Sequence, residues 1–160
     1  MQLAAFLAAA EGAFVSIRTF ALIYGLLFAA VGIAGFIPGL VTPHEAAEHP
    51  LAVEQGAGEL LGLFPVNLLH NLVHLAFGVW GLAVYRNTYA ALAYARSAAV
   101  IYAVFVVMGF IPGLDTVFGL VPLHGNDLWL HALLAAVAAF FGFMHDAEPE
   151  PASRPATRGT

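Results

Sequence analysis

With 160 residues, 61% of them apolar and only 9% charged, the chain has too few charges to cover a water-facing surface; an ordinary soluble domain is about 25% charged. Its net charge of −5 argues against nucleic acid, which needs a basic face, and the absence of cysteine excludes disulfides, thiolate metal sites and cysteine nucleophiles. The length suits one domain, and a basic complement made only of arginine, beside abundant alanine, hints at a GC-rich bacterial genome.

Residues 1–17 form an apolar arm, read as interfacial or loosely helical. Ala8-Ala9-Ala10 raises the alternative of a cleaved signal, but the arm lacks a positive n-region and Glu11 interrupts it. Four windows then meet the requirement of about 20 mostly apolar residues for a membrane span: Thr19–Ile37, Val66–Tyr85, Ser97–Ile111 and Leu128–Met144. The third is short, and Tyr89 to Arg96 would extend its helix. Pro38 and Pro112 follow the first and third windows, and Pro65 and Pro122 precede the second and fourth, where proline ends or begins a helix without loss of interior hydrogen bonds. Residues 146–160, rich in Pro, Ala, Ser, Glu and Arg, read as a disordered tail behind a transmembrane domain at 18–145.

Arginine placement sets the orientation. Arg18 precedes span one, Arg86 and Arg96 separate spans two and three, and Arg154 and Arg158 follow span four, whereas the loops Gly39–Leu63 and Gly113–Asn126 hold no basic residue. By the positive-inside rule both termini and the middle loop are cytoplasmic. The outer loops carry Glu45, Glu48, Glu54, Glu59 and Asp115, and His44 and His49 add a second, solvated cluster of histidine and glutamate.

The chain also repeats itself. Arg18 to Tyr24 aligns with Arg96 to Tyr102, and Gly35-Phe-Ile-Pro-Gly-Leu40 is identical to Gly109-Phe-Ile-Pro-Gly-Leu114. Leu61-Gly-Leu-Phe-Pro65 corresponds to Phe118-Gly-Leu-Val-Pro122, and His74 to His131. The expected architecture is an all-α four-transmembrane-helix bundle made of two tandem, parallel hairpin repeats, residues 18–85 and 96–144. Gly35, Pro38 and Gly39, with Gly109, Pro112 and Gly113, read as turn signals at helix ends rather than a dimerisation face. Gly25, Gly32, Gly78 and Gly81 fit close helix packing.

Polar residues concentrate just inside the outer ends of spans two and four. His70 and His74 share a helix face, and Asp127 and His131 have the same spacing, so three imidazoles and a carboxylate would converge if the hairpins pack about a pseudo-twofold axis. One reading makes them transition-metal ligands, or makes His74 and His131 axial ligands of a haem, with Asn67, Asn71, His124 and Asn126 orienting the rings. The plainer reading, ranked ahead of it, is a satisfied hydrogen-bond network joining helices two and four, at about 0.6–2 kcal/mol per contact, with Asp127 capping span four.

Three stretches together, Arg18–Gly39, Leu61–Leu82 with its Asn67, His70, Asn71 and His74, and Leu120–His131 with its Gly125, Asn126 and Asp127, resemble a bacterial membrane family designated domain of unknown function 4383. The resemblance covers roughly residues 17–144. It implies a four-helix bacterial membrane protein and carries no activity, substrate or cofactor.

With no nucleotide motif, nucleophile elbow or paired acid-base carboxylates, no catalytic residue is assigned. The expected function is a non-enzymatic accessory or scaffold subunit of the bacterial cytoplasmic membrane. Its expected partners are lipid and other membrane subunits or further copies of itself, without nucleic acid; the cofactor is left open, with none ranked ahead of a transition metal or haem. The alternatives are a metal- or haem-binding protein using the histidines, and an oligomeric small transporter or channel.

Overall fold

The computed structural model describes residues 15–43 and 51–144. The N-terminal arm up to residue 14, the His44–His49 cluster, His145 and the tail lie outside the described residues. The described residues form four helices: α1 (Ile17–Ala34), α2 (Leu68–Val84), α3 (Thr88–Gly109) and α4 (Asn126–Ala139), the last continued by a π-helical turn, Phe140–Met144. Side chains start three of them. Ser16 accepts from the Thr19 amide, Asn67 from the His70 amide and Asn87 from the Ala90 amide, each filling one of the donors left open at a helix N-terminus.

The boundaries differ from the hydropathy windows in an orderly way. α1 stops at Ala34, short of Ile37, because Phe36 and Ile37 take tighter three-residue hydrogen bonds ahead of Pro38. α3 begins at Thr88, so the stretch from Tyr89 to Arg96 does extend the short third window. α1, α3, and α4 with its π turn are long and apolar enough to cross a membrane; α2, with 17 residues, is shorter.

Between α1 and α2 the chain forms a small antiparallel sheet where a plain loop was expected. Strands β1 (Val41–Thr42), β2 (Gly58–Leu60) and β3 (Phe64–Val66) lie in the order β1-β2-β3, with Val41 opposite Leu60 and Gly58 opposite Val66. Pro65 is tolerated because β3 is an edge strand. Gly58 is required because a Cβ there would run into the Thr42 carbonyl.

α1 and α2 approach closely through glycine. A Cβ on Gly81 would stand 2.8 Å from the Gly25 Cα and 2.9 Å from the Ala21 carbonyl, so backbone meets backbone along this seam. α3 packs on α4, Ala91, Ala95, Ala98 and Ala99 of α3 are buried in the core, and Phe20, Tyr24, Phe28, Phe77, Tyr94 and Tyr102 fill the centre. The Tyr24 hydroxyl donates to the Leu134 carbonyl (2.6 Å) and ties α1 to α4.

Three arginines gather at one end of the bundle. Arg18 donates to the Tyr85 carbonyl (3.3 Å), Arg86 to the Tyr85 hydroxyl (2.9 Å) and Arg96 to the Gly142 carbonyl (2.8 Å). The sheet and both Gly-Phe-Ile-Pro-Gly-Leu blocks lie at the other end. In each block the second glycine is left-handed, with φ of +93° at Gly39 and +86° at Gly113, as a turn just past Pro38 and Pro112 requires.

Candidate functional site

Asn67 positions the start of α2. Its Oδ1 accepts from the His70 amide (2.8 Å), while its Nδ2 donates to the carbonyls of Val53 (2.9 Å) and Leu120 (2.7 Å). One buried side chain thus fixes the helix start, the first long connection and the connection leading to α4. From that anchor, helical spacing puts His70 and His74 one turn apart on one face of α2. Across from them, α4 presents Asp127 and His131 with the same spacing.

The four side chains meet. One nitrogen from each of His70, His74 and His131 lies within 4.8 Å of the other two. The Asp127 Oδ2 is 3.5 Å from His131 Nδ1 and 3.9 Å from His70 Nε2. All four residues are at most 4% exposed. Aromatic rings enclose them: Phe28 lies against His74 (centroids 5.5 Å apart), and Tyr102 (4.9 Å) and Phe105 (6.2 Å) lie against His131.

The satisfied network expected from the sequence is not what this geometry contains. Among the described residues, both nitrogens of His74, Nε2 of His70, Nδ1 of His131 and Oδ2 of Asp127 have no hydrogen-bond partner. A buried polar group left so costs about 1–3 kcal/mol, and buried polar groups are otherwise paired. The reason is where the asparagines go. Asn67 serves backbone groups, Asn71 donates to the Gly35 carbonyl (2.9 Å) and Asn126 donates to the Leu63 carbonyl (3.2 Å), so these carboxamides hold the chain rather than orienting the rings. His124 is half-buried just ahead of α4. Asp127 does stand in the first turn of α4, where no side chain caps the helix and Gly125 occupies the cap with φ of +65°.

The sequence reading passed over Tyr102, Phe28 and Phe105 as site residues. Tyr102 had a signal, since it matches Tyr24 in the aligned blocks. The two phenylalanines had none, because an aromatic residue in an apolar helix reads as packing.

The distances suit a small cation. Around a metal with bonds of about 2.0–2.1 Å, tetrahedral ligands stand roughly 3.3 Å apart, close to the carboxylate–imidazole separations here. The donor set, three imidazoles and a carboxylate without thiolate, suits zinc, iron or copper.

Neither the curated proteins nor the solved structures hold a match to this chain. A family match covers residues 18–144, both histidine pairs included, and the chain belongs to the family described as domain of unknown function DUF4383.

Proposed function

We propose that this protein is a non-enzymatic integral membrane protein that holds one divalent transition-metal ion between α2 and α4, on His70, His74, His131 and Asp127. The observation that carries the reading is the convergence of three buried imidazoles on one point, their nitrogens within 4.8 Å of one another and facing no other partner among the described residues. A scaffold whose task is only to contact other subunits has no use for unpartnered imidazoles in its core, so the metal reading takes precedence over the accessory role expected from the sequence.

Haem is the weaker form of this idea. A macrocycle would have to lie between His74 and His131, but the His70 ring stands 4.5 Å from the first and 5.9 Å from the second, and fills that space with protein.

The surrounding fold supports a membrane setting. Three helices have the required length and apolarity, and large apolar residues such as Val79 (65%), Trp129 (68%) and Leu133 (60%) are turned outward. We place the protein in the bacterial cytoplasmic membrane as two tandem hairpin repeats. Arg18, Arg86 and Arg96 then mark the cytoplasmic end, and the sheet and the metal lie toward the outer face.

Elemental analysis of the protein purified without added metal, then reloaded with zinc, tests the assignment. One metal ion per chain is expected. Its removal by chelator should lower thermal stability, because a ligand at a thousand times its Kd adds about 4 kcal/mol. Protein that takes up no metal and melts identically with and without chelator would sink the reading.

A further inference from the structure

The four side chains between α2 and α4 are at most 4% exposed, so an ion reaches or leaves them only when some part of the fold moves aside. Three directions are closed to a cation. On one side the imidazoles border a cavity of about 270 Å³ with hydrocarbon walls, among them Leu69, Val73 and Phe105, which a charge crosses only at high cost. On another, α1 seals against α2: a Cβ on Gly32 would stand 2.9 Å from the Asn71 carbonyl. Toward the arginine end, Phe20, Phe77 and Tyr94 fill the core without a charged side chain among its described members. The outer end is left.

Two connections cover that end, and they are fastened differently. The one ahead of α4 is braced by bonds of its own, the amides of Val117, Leu120, Val121 and Leu123 donating to the carbonyls of Leu114, Val117, Thr116 and Asp115. Residues 52–55 of the first connection belong to no helix or strand and fasten outward. The Ala52 amide (2.7 Å) and the Val53 amide (3.3 Å) share the Gly119 carbonyl, and the Leu68 amide donates to the Gln55 carbonyl (2.8 Å). Asn67 Nδ2 donates to the Val53 carbonyl (2.9 Å). These bonds lay a strap across the start of α2, whose first turn carries His70. Breaking them unwinds no element, and Asn67 keeps its cap on the His70 amide through Oδ1. Local openings of this kind need far less than global unfolding.

Charge favours the same end. Glu54 lies on the strap, with Glu59 and Asp115 on the two connections, whereas Arg18, Arg86 and Arg96 stand at the far end of the bundle. An acidic rim raises the local concentration of cations.

We infer that the metal ion enters and leaves at the outer face, through a gate that opens when residues 52–55 lift from Gly119 and Asn67. The inference rests on the metal reading and adds the route to it. The hydrogen bonds of the strap reach none of the four ligands. Pinning the strap therefore changes the rates of entry and exit by one factor and leaves the affinity as it was.

The chain has no cysteine, so a disulfide can pin the strap cleanly. A Cβ on Gly119 would stand 3.2 Å from the Ala52 Cβ, close to the roughly 3.5–4.5 Å between the Cβ atoms of a disulfide. The zinc-loaded, detergent-solubilised full chain carrying Ala52→Cys and Gly119→Cys is mixed with excess zinc-binding dye, first oxidised and then reduced, with elemental analysis of the same sample. The oxidised protein should release zinc about 100-fold more slowly than the reduced protein, at unchanged Kd. Gly119 has φ of +83°, where a side chain is strained, so Ala52→Pro supplies a second variant. It deletes the amide that donates to Gly119 and should release zinc about five-fold faster, the value of one hydrogen bond.

Equal release by oxidised and reduced protein overturns the gate while the metal reading stands. So does a disulfide that weakens affinity instead of slowing exchange, or an Ala52→Pro variant that folds and releases zinc at the parent rate. Protein that takes up no zinc with its strap free overturns both.

Discussion

In the α1–α2 hairpin, Gly35 has no room for a Cβ because the Asn71 carboxamide occupies that space, donating 2.9 Å to the Gly35 carbonyl. In the α3–α4 hairpin the matching glycine, Gly109, is equally tight, but against the Leu123 carbonyl (2.6 Å) and the Leu128 side chain (2.7 Å). Tyr24 and Tyr102 differ in the same direction. The first bonds the Leu134 carbonyl at 2.6 Å, and the second leaves its hydroxyl unpartnered among the described residues, beside His131. Matching sequence positions therefore serve different ends. In the first hairpin a polar side chain clasps the helices together, and in the second an apolar contact and an unpartnered hydroxyl stand at the matching places. Across the boundary, His74 faces its counterpart His131, but the counterpart of His70 is Asp127, which brings the carboxylate that three imidazoles alone would lack.

That division of labour can be broken most sharply at the histidines. A metal shared by two hairpins must be lost when either contributes nothing. His74→Leu on α2 and His131→Leu on α4 should each lower zinc affinity by more than about 100-fold, beyond the 10–100-fold typical of groups that only orient a ligand. Zinc titration of each variant measures this. Full affinity in either one would confine the site to a single hairpin.

The next largest effect belongs to Asn67, which links the two halves without touching the rings. Asn67→Ala removes a helix cap and the donor to two carbonyls, Val53 and Leu120. With about 1 kcal/mol for the cap and about 1 for each bond, the loss should approach 3 kcal/mol in the unfolding free energy. Asn71→Leu tests the clasp itself. It puts the second hairpin's solution into the first, and leaves the Gly35 carbonyl without its partner at a cost of about 2 kcal/mol. A Leu variant as stable as the parent would mean that the polar clasp adds nothing to apolar packing.

Much of this was open to reading in the chain, for identifiable reasons. The helices follow from long apolar windows and their flanking prolines. The meeting of His70, His74, Asp127 and His131 follows from four-residue spacing, which puts each pair on one face of its helix, combined with the expectation from the aligned blocks that α2 and α4 turn those faces toward each other. The sheet was not legible. Strands of two or three residues such as Val41–Thr42 and Gly58–Leu60 are too short to show an alternating pattern, and Gly58 reads as a loop residue until the Thr42 carbonyl is seen against it. The destinations of Asn67 and Asn71 were equally hidden. Residue type marks a carboxamide as a donor and acceptor, but only tertiary placement decides whether it meets an imidazole or the Gly35 carbonyl. The length of α3 was half legible: Arg96 looks like a span boundary, yet it sits within the helix because the Gly142 carbonyl in the π turn receives its Nε.

The smallest effect separates the hairpins by one oxygen atom. Tyr24→Phe deletes a hydroxyl that donates to Leu134, so the carbonyl loses its partner and stability should fall by about 1 kcal/mol. Tyr102→Phe deletes a hydroxyl that has no partner among the described residues, and removes a buried polar atom without breaking a bond. Its stability should be unchanged or slightly raised, because the cost of desolvating that hydroxyl disappears. Thermal unfolding of the two variants in one detergent gives the comparison directly. Equal losses would mean that Tyr102 has a partner in the folded protein after all, and that the second hairpin is as closed as the first. A loss confined to Tyr24→Phe would leave Tyr102 as a group whose presence stability does not explain, beside His131.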